Sequence, residues 1–136
     1  METTLISSIL NFAAYFSLAL ILLVVFKYVY AFVTPHDEWK LIKEDQNTAA
    51  AIGLGGAVLG FAIALSGAAT NSVSLVDFIT WGIIALIAQA LAFAVVRFVF
   101  MPKIVGRIEA GEISAGIMLA ATNVSVGLLN AACMTY

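Results

Sequence analysis

Residues 34–51, TPHDEWKLIKEDQNTAAA, form the one strongly polar stretch in an apolar chain of 136 residues. The stretch carries six of the fourteen Asp, Glu, Lys and Arg residues and the single histidine. Its charged residues, 37–45, lie between uncharged runs at residues 3–26 and 46–76. Each run is at least as long as the roughly 18–20 residues that a helix needs to cross a bilayer. We therefore interpret residues 34–51, called the elbow below, as a water-facing connection between two membrane-spanning helices.

The composition indicates a membrane protein. Hydrophobic residues make up 63% of the chain and charged residues 10%, whereas soluble domains have roughly 45–50% and about 25%. Long uncharged segments satisfy their backbone in lipid only as helices or closed barrels, and the short alternating segments of a barrel are not seen. The sequence predicts an all-α membrane protein with a single transmembrane domain, residues 1–136, and four helices at about residues 5–33, 47–69, 74–100 and 112–134.

The second half of the chain repeats the pattern of the first half at an offset of 67 residues. Each half has a bulky apolar helix, a proline (Pro35 or Pro102), a short amphipathic segment and a helix lined by small residues. We predict two parallel two-helix repeats, at about residues 5–69 and 74–134, with short amphipathic interfacial helices in the two cytoplasmic connections.

Small residues recur every three or four positions along the second and fourth predicted helices. In lipid, such a seam lets two backbones approach closely and gain van der Waals contact. The pattern places these helices inside the bundle or in an oligomer interface, most simply that of a symmetric homodimer. The glycines predicted to form the packing seam are Gly53, Gly56, Gly60, Gly67, Gly116 and Gly127.

The start of the elbow is predicted to be a short helix in the headgroup region. Thr34 is the expected N-cap, Pro35 the first helical residue and Trp39 the membrane anchor. Consecutive helical side chains diverge, and a lone histidine is a weak metal signal, so we expect a solvated cluster with no metal or cofactor. The elbow residues of interest are Pro35, His36, Asp37, Glu38 and Trp39.

Three amide side chains interrupt the apolar helices: Gln89, Asn123 and Asn130. An amide in hydrocarbon must be hydrogen-bonded, so these groups face protein or water. Two interpretations remain open, a clamp between helices and a polar path or binding site for a solute. Because amides do not titrate, they would position a solute and would not relay protons.

No catalytic motif occurs: the chain lacks GxSxG, HExxH, a Walker loop and CxxC. We therefore predict no catalytic residues and no enzyme. The net charge of -2 and the lack of a basic run argue against nucleic-acid binding. The single cysteine, Cys133, excludes an intramolecular disulfide.

The motifs TPHDEW (34–39), NTAA (47–50) and NAACMT (130–135) resemble the YjfL family of small bacterial inner-membrane proteins, numbered 350 among domains of unknown function. The resemblance implies a multi-pass inner-membrane protein with no established activity and no catalytic residues to assign. The family's genomic neighbours imply a link to envelope stress.

Two hypotheses follow from the residues and the resemblance together. The first is a non-enzymatic, oligomeric membrane component that presents its connections to lipid or to a cytoplasmic envelope-stress partner. The second is a small transporter or channel subunit with a path lined by the amides of the fourth helix.

The basic residues predict the orientation. All six Lys and Arg residues lie within or next to the first and third connections, and none lies in the N-terminus, the second connection or the C-terminal tail. The positive-inside rule places the first and third connections in the cytoplasm and both termini in the periplasm.

This orientation is tested by reporter fusions. A periplasm-active reporter at the C-terminus is expected to be active and a cytoplasm-active one silent, while fusions within the elbow should give the opposite pair. The reverse pattern would overturn the predicted orientation.

Overall fold

The fold is a bundle of long helices joined by short helical connections. The computed structural model describes residues 2–35 and 37–134, and within these ranges it contains helices and no strand. In chain order the helices are α1 (Glu2–Val33), α2 (Glu38–Lys43), α3 (Thr48–Asn71), α4 (Leu75–Val95) with a following π-helical turn (Val96–Phe100), α5 (Ile104–Glu109) and α6 (Ile113–Ala132).

Four segments in the described part of the chain are long and apolar enough to cross a membrane. Their mean hydropathy lies between 1.4 and 2.5, and they are Thr3–Val33, Thr48–Asn71, Leu75–Phe100 and Ile113–Ala132. The prediction of an all-α protein with four spans is confirmed, with helix ends within a few residues of those expected.

The third span does not remain a regular α-helix to its end. The Met101 N–H donates to the carbonyl of Val96 at 2.7 Å, which is one residue farther back than in an α-helix. Met101 itself has left the helical region, with φ -142 and ψ 85. Pro102 explains this end, because the residue before a proline is driven toward extended conformations.

Helices α3 and α6 are in direct backbone contact along their whole length. A methyl group on Gly116 would overlap the backbone of Ala49, and one on Gly127 would overlap the carbonyl of Gly60. Farther along, a Cβ on Gly67 would lie 2.8 Å from the Cβ of Ala131. Because early residues of α3 meet early residues of α6 and late residues meet late ones, the two helices run parallel.

All six glycines of the predicted seam lie in this contact. Besides the three above, added Cβ atoms on Gly53 and Gly56 would meet Leu119 and Ala120 of α6, and one on Gly60 would meet the backbone of Asn123. The seams of the two helices therefore pack against each other within one chain.

Helices α4 and α1 cover this central pair. In the most apolar part of α3, 56% of the residues are buried. In the most apolar part of α1 only 11% are buried, so α1 lies at the outside of the bundle. The inner face of α1 is held by aromatic packing, with the rings of Phe26 and Phe61 stacked at a centroid distance of 4.6 Å. Gly82 on α4 leaves room for Leu22, whose Cδ1 would lie 2.8 Å from a Cβ at that position.

The start of α2 differs from the prediction. Asp37 is the N-cap and its side chain accepts a hydrogen bond from the Lys40 N–H at 3.1 Å. Thr34 instead donates its hydroxyl back to the carbonyl of Tyr30 at 3.1 Å. The predicted cap at Thr34 was therefore wrong, because α1 continues to Val33 and uses the Thr34 hydroxyl at its own C-terminal end.

The sequence also predicts a cap for α4 at Ser74, with Asp77 three residues later, and a stop after α5 at Gly111, and both are confirmed. Ser74 caps α4 by accepting from the Asp77 N–H at 3.2 Å, and the Asp77 carboxylate accepts from the Val73 N–H at 2.9 Å. Gly111, with φ 80, follows α5 in the left-handed conformation that suits a glycine stop.

The α3–α6 contact predicts unequal effects of adding one methyl group. Gly127→Ala should lower the stability of the purified protein by about 1–3 kcal/mol, because the methyl overlaps the Gly60 backbone and the helices must separate. Thermal unfolding in detergent measures the effect. The matched control is Gly55→Ala on α3, which has open space around the added Cβ and should be neutral or stabilising. Equal effects of the two substitutions would contradict the proposed packing.

Candidate functional site

The buried polar side chains of the described chain lie in or near the first connection and in the middle of the bundle. Six such residues are buried, and they are Thr34, Glu38, Asn47, Gln89, Thr122 and Asn123. Two of the three amides singled out by sequence, Gln89 and Asn123, have no exposed surface at all.

Gln89 and Asn123 join α4 to α6. The Gln89 Nε2 donates to the backbone carbonyl of Asn123 at 2.7 Å. Gly60 makes this possible, since a Cβ at that position would lie 2.6 Å from the Gln89 Nε2 and would also overlap the Asn123 carbonyl. The glycine contact between α3 and α6 therefore also creates the site at which the Gln89 amide is held.

The Asn123 side chain continues the polar contacts to α1. Its Nδ2 donates to the hydroxyl of Tyr30 at 3.3 Å. Tyr30 is fully buried and packs edge-on against Phe93, with ring centroids 6.1 Å apart. Glu38, only 4% exposed, lies close enough to the Tyr30 hydroxyl to interact with it electrostatically.

These four residues form what we call the core polar cluster: Tyr30, Glu38, Gln89 and Asn123. They come from α1, α2, α4 and α6, so the cluster exists only when the whole bundle is assembled. It extends from the first connection into the interior of the membrane-spanning region.

Asn130 does not belong to this cluster. Its Nδ2 donates to the backbone carbonyl of Ala85 at 3.0 Å and it is half-buried. It forms a second contact between α6 and α4, and its outer side lies in a groove with Trp81 and Cys133. The structure thus places the two asparagines of α6 in separate contacts.

The elbow residues divide between surface and interior. Pro35, Asp37 and Trp39 are exposed, and His36 lies outside the described residues. Glu38 was predicted to face the headgroups with them, and this was wrong. Because α2 begins at Glu38, this first helical residue faces the bundle while the preceding Asp37 caps the helix from outside.

The basic-residue pattern places Lys27 in the last turn of the first helix, and this was wrong. Lys27 lies nearly two turns before the end of α1 at Val33. Its Nζ lies 4.3 Å from the ring centroid of Trp39 and 4.5 Å from that of Tyr28, at cation–π distance. The long side chain therefore reaches toward the elbow, as a lysine near a membrane surface does.

Sequence reasoning missed Asn47 as a structural link between the two connections. Its Oδ1 caps α3 by accepting from the Ala50 N–H at 3.0 Å, while its Nδ2 donates to the carbonyl of Ile108 at 2.7 Å. The N-cap preference of asparagine before a helix would have identified the first role. The second role depends on tertiary packing.

A tyrosine near the end of a membrane-spanning helix is expected in the interfacial aromatic belt, but the structure buries Tyr30 in the cluster. The signal that could have indicated this is its spacing from Phe26, four residues earlier on the same helical face. The rings of these two residues pack with centroids 5.6 Å apart.

One ion pair marks the turn between α5 and α6. The Arg107 Nε donates to Glu112 Oε2 at 2.8 Å, and a second nitrogen of Arg107 donates to Oε1 at 3.3 Å. The hydrogen bond from Arg107 holds the pKa of the Glu112 carboxyl below its usual value. Glu112 is therefore ionised at neutral pH and braces the entry of α6 at the surface.

The chemistry available to the core polar cluster is that of hydrogen bonding and coordination. Within residues 2–35 and 37–134, no group of three or more His, Cys, Asp and Glu side chains could hold a metal ion. The cluster offers amide and phenolic oxygens and the single carboxylate of Glu38, and these four residues contain no nucleophile–base pair.

Four apolar helices around a buried polar cluster define a multi-pass α-helical membrane protein. The chain belongs to the family described as Domain of Unknown Function (DUF350), whose model matches residues 4–134.

Similar proteins carry matching descriptions. The chain is 42% identical to the UPF0719 inner membrane protein YjfL of Escherichia coli (strain K12), over 97% of this chain and 98% of that protein. The protein of the same description from Escherichia coli O157:H7 matches equally. The UPF0719 transmembrane protein YshE of Bacillus subtilis (strain 168) is 29% identical over 68% of each chain. No solved structure matches.

Removal of one hydroxyl tests the cluster. Tyr30→Phe should lower stability by about 1 kcal/mol, because the buried Asn123 Nδ2 loses its acceptor. Thermal unfolding in detergent provides the measurement, with Tyr28→Phe as the control because Tyr28 is exposed on the same helix. A Tyr30→Phe protein as stable as wild type would show that this hydrogen bond contributes nothing.

Proposed function

We propose that the protein is a non-enzymatic, multi-pass component of the bacterial inner membrane that acts through its cytoplasmic connections. The observation that carries this proposal is the tight packing at Gly60, where the Gln89 side chain donates to the Asn123 carbonyl and no space remains for a Cβ. Two helices held at backbone contact, with both amides wholly buried there, form a fixed frame and not an open path. The inner-membrane assignment is supported by the descriptions of the Escherichia coli relatives.

The two connections are the surfaces that this frame presents. We place α2 and α5 in the headgroup region of the cytoplasmic leaflet, with both termini periplasmic. Trp39 supports this placement, since it is exposed and lies between Lys27 and Lys43, whose Nζ atoms are 4.3 Å and 5.8 Å from its ring centroid. Asn47 fixes the elbow to the end of α5, so the two connections form one continuous surface.

The internal repeat is part of the proposal. Each half, about residues 5–69 and 74–134, has a long helix, a six-residue helix and a glycine-lined helix in the same order. Gly60 meets Gly127, which is the equivalent position at the 67-residue offset, and Ala49 meets Gly116 in the same way. Such contacts between equivalent positions are expected of parallel repeats related by an axis along the membrane normal.

Assembly into a homodimer would have to use another face than the one we expected. The glycine seams of α3 and α6 are occupied by each other, so they are not available to a second copy. Of the four spans in the described chain, α1 is the least buried, and its outer face carries Phe12 and Phe16, stacked at 5.4 Å. We propose that any dimer forms there.

The link to envelope stress is proposed through a cytoplasmic partner. The exposed side chains of the connection surface that would meet such a partner or anionic headgroups are mixed in charge and include Asp37, Lys40, Lys43, Glu44 and Lys103. Photo-crosslinkers at Lys40 and Lys103 are expected to capture the same stress-response protein in cells. One at Val73, which is 87% exposed in the second connection, is expected to capture none.

A flux assay distinguishes this function from that of a transporter or channel subunit. Purified protein in proteoliposomes is expected to leave Na⁺, K⁺, proton and polyamine flux at background, because Gln89 and Asn123 are wholly buried and Asn130 is bound to the Ala85 carbonyl. The matched variant carries Asn123→Leu and Asn130→Leu. Flux above background that this variant abolishes, with assembly intact, would establish the transport alternative and refute our proposal.

A further inference from the structure

The core polar cluster contains two oxygen atoms that the helix contacts do not use. Gln89 Oε1 and Asn123 Oδ1 are buried, and neither accepts a hydrogen bond from the described residues. The nitrogen of each amide is engaged, at the Asn123 carbonyl and at the Tyr30 hydroxyl respectively. Leaving such oxygens without a partner in an apolar interior is costly, so the arrangement indicates a ligand that accepts electron pairs.

Exchanging the oxygen and nitrogen positions of either side-chain amide would not give both oxygens a hydrogen-bond donor. A reversed Gln89 would point Oε1 at the Asn123 carbonyl, which is itself an acceptor, so its orientation is fixed by its partner. A reversed Asn123 could accept from Tyr30, but the exchange would leave its N–H donors buried in place of one oxygen. At least one carbonyl oxygen therefore remains for a ligand in every arrangement.

The ligand must be cationic or a hydrogen-bond donor. The Tyr30 hydroxyl supplies a third oxygen beside Asn123. Glu38 is the one charged side chain that is buried within the described chain, and it acts electrostatically on Tyr30. Oxygen donors next to a carboxylate create a negative potential that favours a positive ligand over an anion or a neutral solute.

We propose that Gln89 Oε1, Asn123 Oδ1 and the Tyr30 hydroxyl bind one monovalent alkali cation, Na⁺ or K⁺, whose charge is balanced by Glu38. Divalent cations are disfavoured, because Ca²⁺ sites usually contain several carboxylates and Mg²⁺ retains several waters. The site lies where α1, α2, α4 and α6 meet, so the bound ion links all four of these helices. The inference does not depend on the function proposed above, since an ion can be bound here without being conducted.

The test is the effect of salt on thermal unfolding of the purified protein in detergent. Melting temperature is measured in NaCl, KCl and choline chloride at equal ionic strength, so that screening is constant. One alkali cation is expected to raise the melting temperature by several degrees in a saturable way, as a ligand of the folded state does. Choline, a quaternary ammonium ion much larger than Na⁺ or K⁺, is expected to have no such effect.

Three variants separate the site from general stability. Glu38→Gln preserves size and removes the charge, and Gln89→Leu removes one coordinating oxygen. Each is expected to weaken the apparent cation affinity at least tenfold. Asn130→Leu removes a helix contact outside the site and is expected to keep the wild-type salt response, whatever its melting temperature. A response that survived in both Glu38→Gln and Gln89→Leu would refute the site.

Direct binding provides a second measurement that remains valid if Gln89→Leu does not fold. Equilibrium binding of ²²Na⁺ or ⁸⁶Rb⁺ to wild type should saturate at about one ion per chain, with Glu38→Gln binding at least tenfold more weakly. Identical melting temperatures in all three salts, together with no saturable binding, would show that the two oxygens are satisfied by water only. Binding without flux in the proteoliposome assay would support both proposals, and flux with binding would refute only the proposed function.

Discussion

The contact between the backbones of α3 and α6 at Gly60 and Gly127 is the constraint on which the rest of the structure depends. Lipid offers no hydrophobic drive for helices to associate, so attraction has to come from close van der Waals contact. Neither glycine can carry a methyl group without overlapping the opposite backbone. That closeness brings the Asn123 carbonyl within reach of Gln89 on α4, so the central pair also determines where α4 is bound.

The polar cluster fixes the rotation and the axial position of the packed helices. A glycine seam alone would permit neighbouring helices to slide or rotate at small cost, whereas buried amides are costly in any arrangement that leaves them without partners. Asn123 contacts α4 through its carbonyl and α1 through its side chain, so two outer helices are oriented by one residue of the central pair. A cation at Gln89 and Tyr30 would complete the same network and would extend it to the elbow through Glu38.

The sequence predicted those features of the fold that depend on long apolar runs, on regular residue spacing or on local interactions. Long uncharged runs predicted the four spans, and the spacing of glycines predicted which faces of α3 and α6 would pack closely but left open whether the partner helix belongs to the same chain or to a second copy. Ser74 with Asp77 predicted the cap of α4 because capping is a local interaction. The side chains of the cluster could be predicted only in part. The amides were recognised because an amide within hydrocarbon needs a hydrogen-bond partner. The sequence did not identify the groups that they bind.

What escaped prediction depends on how distant segments dock. The burial of Glu38 is decided by how the six-residue helix α2 packs against α3, and so short a helix has no periodicity that marks its inner face. Tyr30 resembles any interfacial tyrosine until Phe61 and Asn123 are placed beside α1. Asn47 binds a carbonyl 61 residues away, which no local pattern records.

The central claim, that the glycine seams pair within a single chain, is tested most directly by disulfide formation between Gly67→Cys and Ala131→Cys in a chain whose native Cys133 is replaced by Ser. A Cβ on Gly67 lies 2.8 Å from that of Ala131, so a small adjustment reaches disulfide geometry. We predict a disulfide within monomers when both cysteines are in one chain, and none when the two single-cysteine chains are expressed together. Disulfide-linked dimers in the mixed expression, with no bond inside the double-cysteine monomer, would show that the seams join separate copies and would contradict this account.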